Sequence, residues 1–186
     1  MKRIISLLLV LILSLGLFSC SDGNSEHDHE HEHGSTEKLV EHFQGGVYFS
    51  LPADFVTKNL SYGDYVYTDG HHAYFIVNIY DEVALEEDMY IPKDITVREY
   101  AQMRVTDMMC ADYKYNEAND SATFEYVYEY NDGSGMPNEY YLFMILRNEE
   151  ALYQLTLTCD EVDLSTYKDT FNAILKTVSL APLTAA

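Results

Sequence analysis

Three strand-length segments, each followed by a short polar turn, fill residues 123–159 and commit this chain to an antiparallel sheet. From Thr123 to Tyr130 the pattern alternates. Phe124, Tyr126, Tyr128 and Tyr130 face one way, and Glu125 and Glu129 face the other, as in a half-exposed strand. Asn131-Asp132-Gly133-Ser134-Gly135 is turn chemistry. Tyr140 to Leu146 is apolar on both alternate sets, which predicts a central strand covered on both sides. After Asn148-Glu149-Glu150, the run from Ala151 to Cys159 places Tyr153, Leu155, Leu157 and Cys159 on one face. Gln154, Thr156 and Thr158 share the other face.

The first half supplies the partners. Gly45-Gly46 breaks the chain, Val47 to Leu51 reads as a short strand, and Pro52 ends it. Tyr62 to Thr68 and Ala73 to Tyr80 form a hairpin signal around Asp69-Gly70. The period then changes. From Ile95 to Cys110, apolar residues recur every three or four positions (Val97, Tyr100, Ala101, Val105, Met108, Met109), and Thr96 and Glu99 fit a capping box. A second helix, Leu164 to Val178, buries Leu164, Tyr167, Phe171, Ile174, Leu175 and Val178, with Asp163 placed to cap it. The fold class is α+β, with about six antiparallel strands and two main helices whose apolar stripes must lie on the sheet. A domain spanning 39–183 buries roughly two-thirds of its unfolded surface and needs no metal or partner in order to fold.

The N-terminal segment is built differently. Lys2 and Arg3 precede an apolar run from Ile4 to Phe18, about 15 residues and roughly 22 Å as a helix. That is short of the roughly 30 Å of a bilayer core, so residues 1–19 read as a signal peptide. Leu17-Phe18-Ser19-Cys20 resembles a bacterial lipobox, which implies cleavage before Cys20 and acylation of its thiol. Two or more acyl chains hold a protein stably on a membrane. The expected location is therefore the bacterial cell membrane or outer membrane, facing away from the cytoplasm. Residues 20–38 follow as a tether without a core-forming apolar residue, which predicts disorder. Within it His27, His29, His31 and His33 alternate with acids. Imidazole and carboxylate are ligands for Zn²⁺ and other divalent ions, so weak metal binding is expected there and no other cofactor.

An opening GVYFSLP, a Thr-capped helix of the TVREYAQM kind, a hairpin ending in ALYQLTLTC and a closing YKDTFNAIL helix together resemble the PsbP-like superfamily over about residues 45–180. The resemblance implies an α-β-α sandwich on a central antiparallel sheet. It also implies an accessory or binding subunit. No functional residue carries over, because no functional motif is matched.

Charge narrows the partners. The chain has 11 basic and 31 acidic residues, a formal net charge of −20. Loss of Lys2 and Arg3 leaves nine bases against 31 acids, or −22. Nucleic acid is excluded as a partner on these grounds. No G-x-S-x-G, H-E-x-x-H, phosphate-binding loop or C-x-x-C occurs. The pairs Asp81/Glu82, Glu86/Glu87 and Glu149/Glu150 read as solvated turns. Cys110 and Cys159 make an even pair in an exported chain and are a possible disulfide. The many tyrosines suit either a recognition surface or a pleated sheet face. The expectation is a non-enzymatic binding module for a protein or glycan. Its site would lie at sheet edges or at hairpin tips near His71 and Asp132, because the helices occupy the sheet faces. The alternative is a metal-handling lipoprotein using the His-rich tether, joined by His42, His71 or His72. A hydrolase is the third class.

Overall fold

The computed structural model describes residues 38–61, 63–131 and 135–181. Cys20, His27, His29, His31, His33 and Asp132 lie outside the described residues.

Ten strands are formed among those residues: β1 (Leu39–Gln44), β2 (Val47–Pro52), β3 (Val56–Lys58), β4 (Tyr65–Thr68), β5 (Tyr74–Asp81), β6 (Lys114–Asn116), β7 (Ser121–Tyr128), β8 (Glu139–Arg147), β9 (Ala151–Asp160) and β10 (Ser179–Leu180). The two main helices are α1 (Val97–Asp107) and α2 (Leu164–Thr177). A seven-stranded sheet has the order β3-β4-β5-β9-β8-β7-β6, and a three-stranded sheet has the order β1-β2-β10. All pairings are antiparallel. The α+β class is as read from sequence. The central sheet gains two short edge strands, β3 and β6, and the small second sheet was not foreseen.

β9 lies at the middle of the large sheet, and all ten of its residues except Asp160 are buried. One face of the sheet packs Phe75, Val77, Leu142, Leu155 and Leu157 against Val47, Phe49 and Leu51 of β2 and against Phe171 and Ile174 of α2. The opposite face packs Phe124, Phe143, Ile145 and Leu152 against Val97, Tyr100, Ala101 and Val105 of α1, together with Leu85, Ile91 and Ile95. Two layers thus flank the sheet, and each helix buries the centre of the stripe that its sequence period specified: Val97, Tyr100, Ala101 and Val105 in α1, Phe171 and Ile174 in α2.

The capping box is present: Thr96 Oγ1 accepts from Glu99 N–H at 3.2 Å, and Glu99 Oε2 accepts from Thr96 N–H at 2.9 Å. These two reciprocal hydrogen bonds satisfy two of the orphan donors at the start of α1. Three expectations need correction. Asp163 occupies the N-cap position of α2 but its side chain makes no cap bond. Met109 lies past the end of α1 with φ 54° and is almost fully exposed, so it is not on the buried stripe. Cys110 and Cys159 are both free. Cys110 packs with the α1-side cluster and Cys159 belongs to the cluster on the opposite face of the sheet, so no bridge joins them.

Candidate functional site

α1 covers only one end of its sheet face. Its Tyr100 hydroxyl donates to Gln154 Oε1 at 3.2 Å, and this buried bond marks the covered end of β9. Toward the other end the same face of β9 carries two short residues, Thr156 and Thr158. The register sets Thr158 between Tyr74 on β5 and Tyr141 on β8, and Thr156 between Ile76 and Phe143. A small residue flanked on both neighbouring strands by large ones leaves a furrow. It opens into a cavity of about 600 Å³ lined by Tyr74, Ile76, Glu139, Tyr141, Thr158 and Asp160, with His71 and His72 at its rim.

The rim is held by local hydrogen bonds. In the β4–β5 turn, Asp69 Oδ1 accepts from the N–H of His71 at 2.9 Å and of Ala73 at 3.2 Å. Thr68 Oγ1 accepts from Gly70 N–H at 3.0 Å, and Gly70 takes φ 83°, the left-handed conformation that suits glycine. The Tyr167 hydroxyl of α2 donates to the other oxygen of Asp69, tying the turn to the helix. Across the cavity, Glu161 N–H donates to Asn138 O at 2.7 Å, and Asn138 Nδ2 donates to Glu161 Oε2 at 2.9 Å. These bonds fix the start of β8 against the end of β9.

Charge at the rim is one-sided. Glu139 and Asp160 are direct cross-strand partners. Asp160 also pairs with His72 Nδ1 at 3.3 Å. His72, Asp160 and Asp163 each offer one donor atom, all within 4.8 Å of one another, a set that can hold a divalent cation. Among the described residues no lysine or arginine forms an ion pair with Asp69, Glu139, Asp160 or Asp163. Burial pushes the Tyr141 phenol up, and the Glu139 carboxylate that accepts its hydrogen bond adds to this, while a hydrogen bond with Thr158 acts the other way. The Cys159 thiol is pushed up to about 12, first by burial and then by Asp163, Asp160 and Asp69. It is held as a neutral thiol and cannot serve as a thiolate nucleophile at neutral pH.

Aromatic rings continue outward from Tyr141. It stacks on Phe143 with centroids 5.9 Å apart and approaches Tyr126 at 6.2 Å. Tyr126 meets Tyr128 at 6.4 Å, and Tyr128 meets Tyr130 at 4.8 Å. The tyrosines therefore divide by place. Tyr67 and Tyr140 fill the core, Tyr74, Tyr126 and Tyr141 flank or adjoin the furrow, and Tyr128 is exposed.

Of the residues singled out in sequence, His71 and His72 stand at this site. His42 does not join them, since it stacks on Phe49 with centroids 5.5 Å apart. The acidic pairs at 81–82, 86–87 and 149–150 are exposed. The expectation that the helices occupy both faces is corrected: α1 leaves the β9 furrow open, so this recess lies on a face and only its rim on a turn. Tyr74, Glu139, Tyr141, Thr158 and Asp160 were missed as a group because cross-strand register alone assembles them.

No family model matches the chain, and no curated protein matches it. Solved structures do. The solution structure of cyanobacterial PsbP from Synechocystis superposes with a TM-score of 0.54 at 14% identity, covering 88% of this chain and 98% of that one. The fold is PsbP-like. The Saccharomyces cerevisiae Ran-binding protein Mog1p shares it with a TM-score of 0.50 at 11% identity, covering 77% of this chain and 94% of the yeast one. A Bacteroides thetaiotaomicron structure matches with a TM-score of 0.50 at 8% identity over 75% of this chain, which spans about half (47%) of that protein. Among the described residues no helix is long and apolar enough to cross a membrane.

Proposed function

We propose that this chain is a bacterial lipoprotein, anchored through lipid on Cys20 and facing away from the cytoplasm, whose PsbP-like domain is a non-enzymatic binding module. The observation that carries the reading is the β9 furrow. It is a built recess with aromatic walls and a carboxylate rim, of a volume typical of ligand sites. Its chemistry suits holding, and two groups that would have to ionise to act as nucleophiles, Cys159 and Tyr141, are kept neutral. The one thiol beside it is kept protonated, and its phenol is hydrogen-bonded to a carboxylate that raises its pKa further. The likeness to a Ran-binding protein is compatible with a binding role, and it lends the fold without lending the partner.

The test is co-purification of the full chain from its native membrane fraction. Substitution Tyr141→Ala is expected to lose most of the captured partner while thermal unfolding shifts little. Saturable turnover by the purified chain, abolished by His72→Ala or Asp160→Asn, would replace this reading with a hydrolase. Metal handling stays as the second reading, favoured by the donor set His72, Asp160 and Asp163. On that reading Zn²⁺ binds with the tether deleted and is lost in His72→Ala.

A further inference from the structure

We infer that the β9 furrow takes the guanidinium of an arginine carried on an extended segment of a partner protein; this rests on the reading of the domain as a binding module. Thr158 forms the floor, and Tyr74 and Tyr141 stand on strands two spacings apart, about 9.5 Å between strand axes. A planar cation is attracted to the face of a tyrosine ring, and arginine makes such contacts more often than lysine. The rim supplies what the head group needs. Glu139 and Asp160 stand directly opposite each other, and like charges so placed repel. A guanidinium between them removes that repulsion and offers a fork of N–H donors to carboxylate oxygens. No lysine or arginine of the described chain fills this role.

Two features favour a protein-borne arginine over a free cation. The cavity, about 600 Å³, is in the range that takes a drug-sized group and exceeds a lone side chain, so the residues flanking the arginine have room. Beside it, on the next strand, Tyr126 lies opposite Tyr141 and the exposed Tyr128 lies opposite Glu139, so the aromatic surface continues sideways along the rim. A bare divalent ion would use His72, Asp160 and Asp163 but would leave both tyrosine walls without a function. The net charge, −20 for the whole chain and −22 without Lys2 and Arg3, steers a basic segment toward the protein, with binding that weakens as salt rises.

The experiment is calorimetric titration of the full chain in detergent micelles with acetyl-Gly-Arg-Gly-Arg-Gly-amide and with its citrulline counterpart, which keeps the shape and lacks the charge. The arginine peptide is expected to bind at least about tenfold more tightly than the citrulline peptide, and to lose about tenfold or more in each of Tyr74→Ala, Tyr141→Ala and Asp160→Asn. Equal binding of the two peptides, or variants that bind like the parent, overturns the inference. Spermidine binding more tightly than the peptide gives the furrow to a free polyamine and also overturns it. Zn²⁺ binding that needs His72, with no peptide binding, assigns the rim to a metal and overturns it as well. If the peptides fail but capture of the native partner still depends on Tyr141, the binding-module reading stands and only the arginine assignment falls.

Discussion

Tyr100 and Gln154 decide where the furrow ends. Gln154 is only 6% exposed, on a sheet face otherwise lined there by apolar groups, and its carbonyl accepts from the Tyr100 hydroxyl at 3.2 Å. Burial is the main cause that pushes this phenol up, so it stays a donor throughout the accessible pH range. Removing the hydroxyl in Tyr100→Phe leaves a buried acceptor unpaired, at a cost of about 1–3 kcal/mol. The double variant Tyr100→Phe with Gln154→Leu removes both partners and is expected to recover most of that loss. Urea unfolding of the two singles and the double measures the coupling. Additive losses would mean that the bond contributes nothing. From sequence, Tyr100 was legible as a core residue of α1 and Gln154 as lying on the polar face of β9. Their pairing was not, because it depends on where a helix seats on a sheet.

At the scale of elements, what was legible follows burial. β5, β8 and β9 are long and central, so their apolar content announced them, and α1 and α2 carried both period and capping signals. Most of the strands missed are short: all three residues of β3 and two of three in β6 face solvent, and β10 has two residues; β1, six residues long, was missed as well. Such segments pair because a neighbouring strand offers a ladder, and their own side chains carry little pattern. The β1–β2 hairpin is intermediate. Its Gly45-Gly46 turn was read as a break, and it is the tight connection between two paired strands. Gly46 has φ 96°, and a Cβ there would lie 2.6 Å from the Tyr153 hydroxyl, which also accepts from Asn148 Nδ2. Gly70 has φ 83° and open space around it. Both Gly→Ala changes incur left-handed strain of about 1–3 kcal/mol, and only Gly46→Ala adds a clash. The expected order of melting temperatures is parent, then Gly70→Ala, then Gly46→Ala. Thermal unfolding followed by circular dichroism checks it, and equal losses would show that Tyr153 moves aside without penalty.

At the scale of the whole molecule, the sheet separates two apolar clusters and places one thiol in each. An exported chain with two cysteines invites a bridge. Chain spacing alone carries no information about which face of a sheet each cysteine occupies, so the sequence leaves a bridge and two buried thiols both open. Two titratable thiols are therefore expected on the denatured, unreduced protein once Cys20 is blocked by lipid, and none would restore the bridge. The folded protein adds a pH test. Burial holds the Cys159 pKa at about 12, whereas an exposed cysteine ionises near 8.5. Below about pH 8.5 both states keep the proton, and the stabilising difference is fully present. As pH rises from there toward 12, the unfolded chain releases the proton and the folded one does not, so stability falls. Buried tyrosines titrate over part of the same range, so the informative quantity is the difference between the parent and Cys159→Ala. The parent is expected to lose melting temperature faster than the variant between pH 8.5 and 11, with the two curves parallel below pH 8. Iodoacetamide at pH 8 should accordingly modify Cys110 first and reach Cys159 only as fast as the domain opens. Rapid labelling of Cys159 in the folded state would place it outside the core and remove the basis for both outcomes.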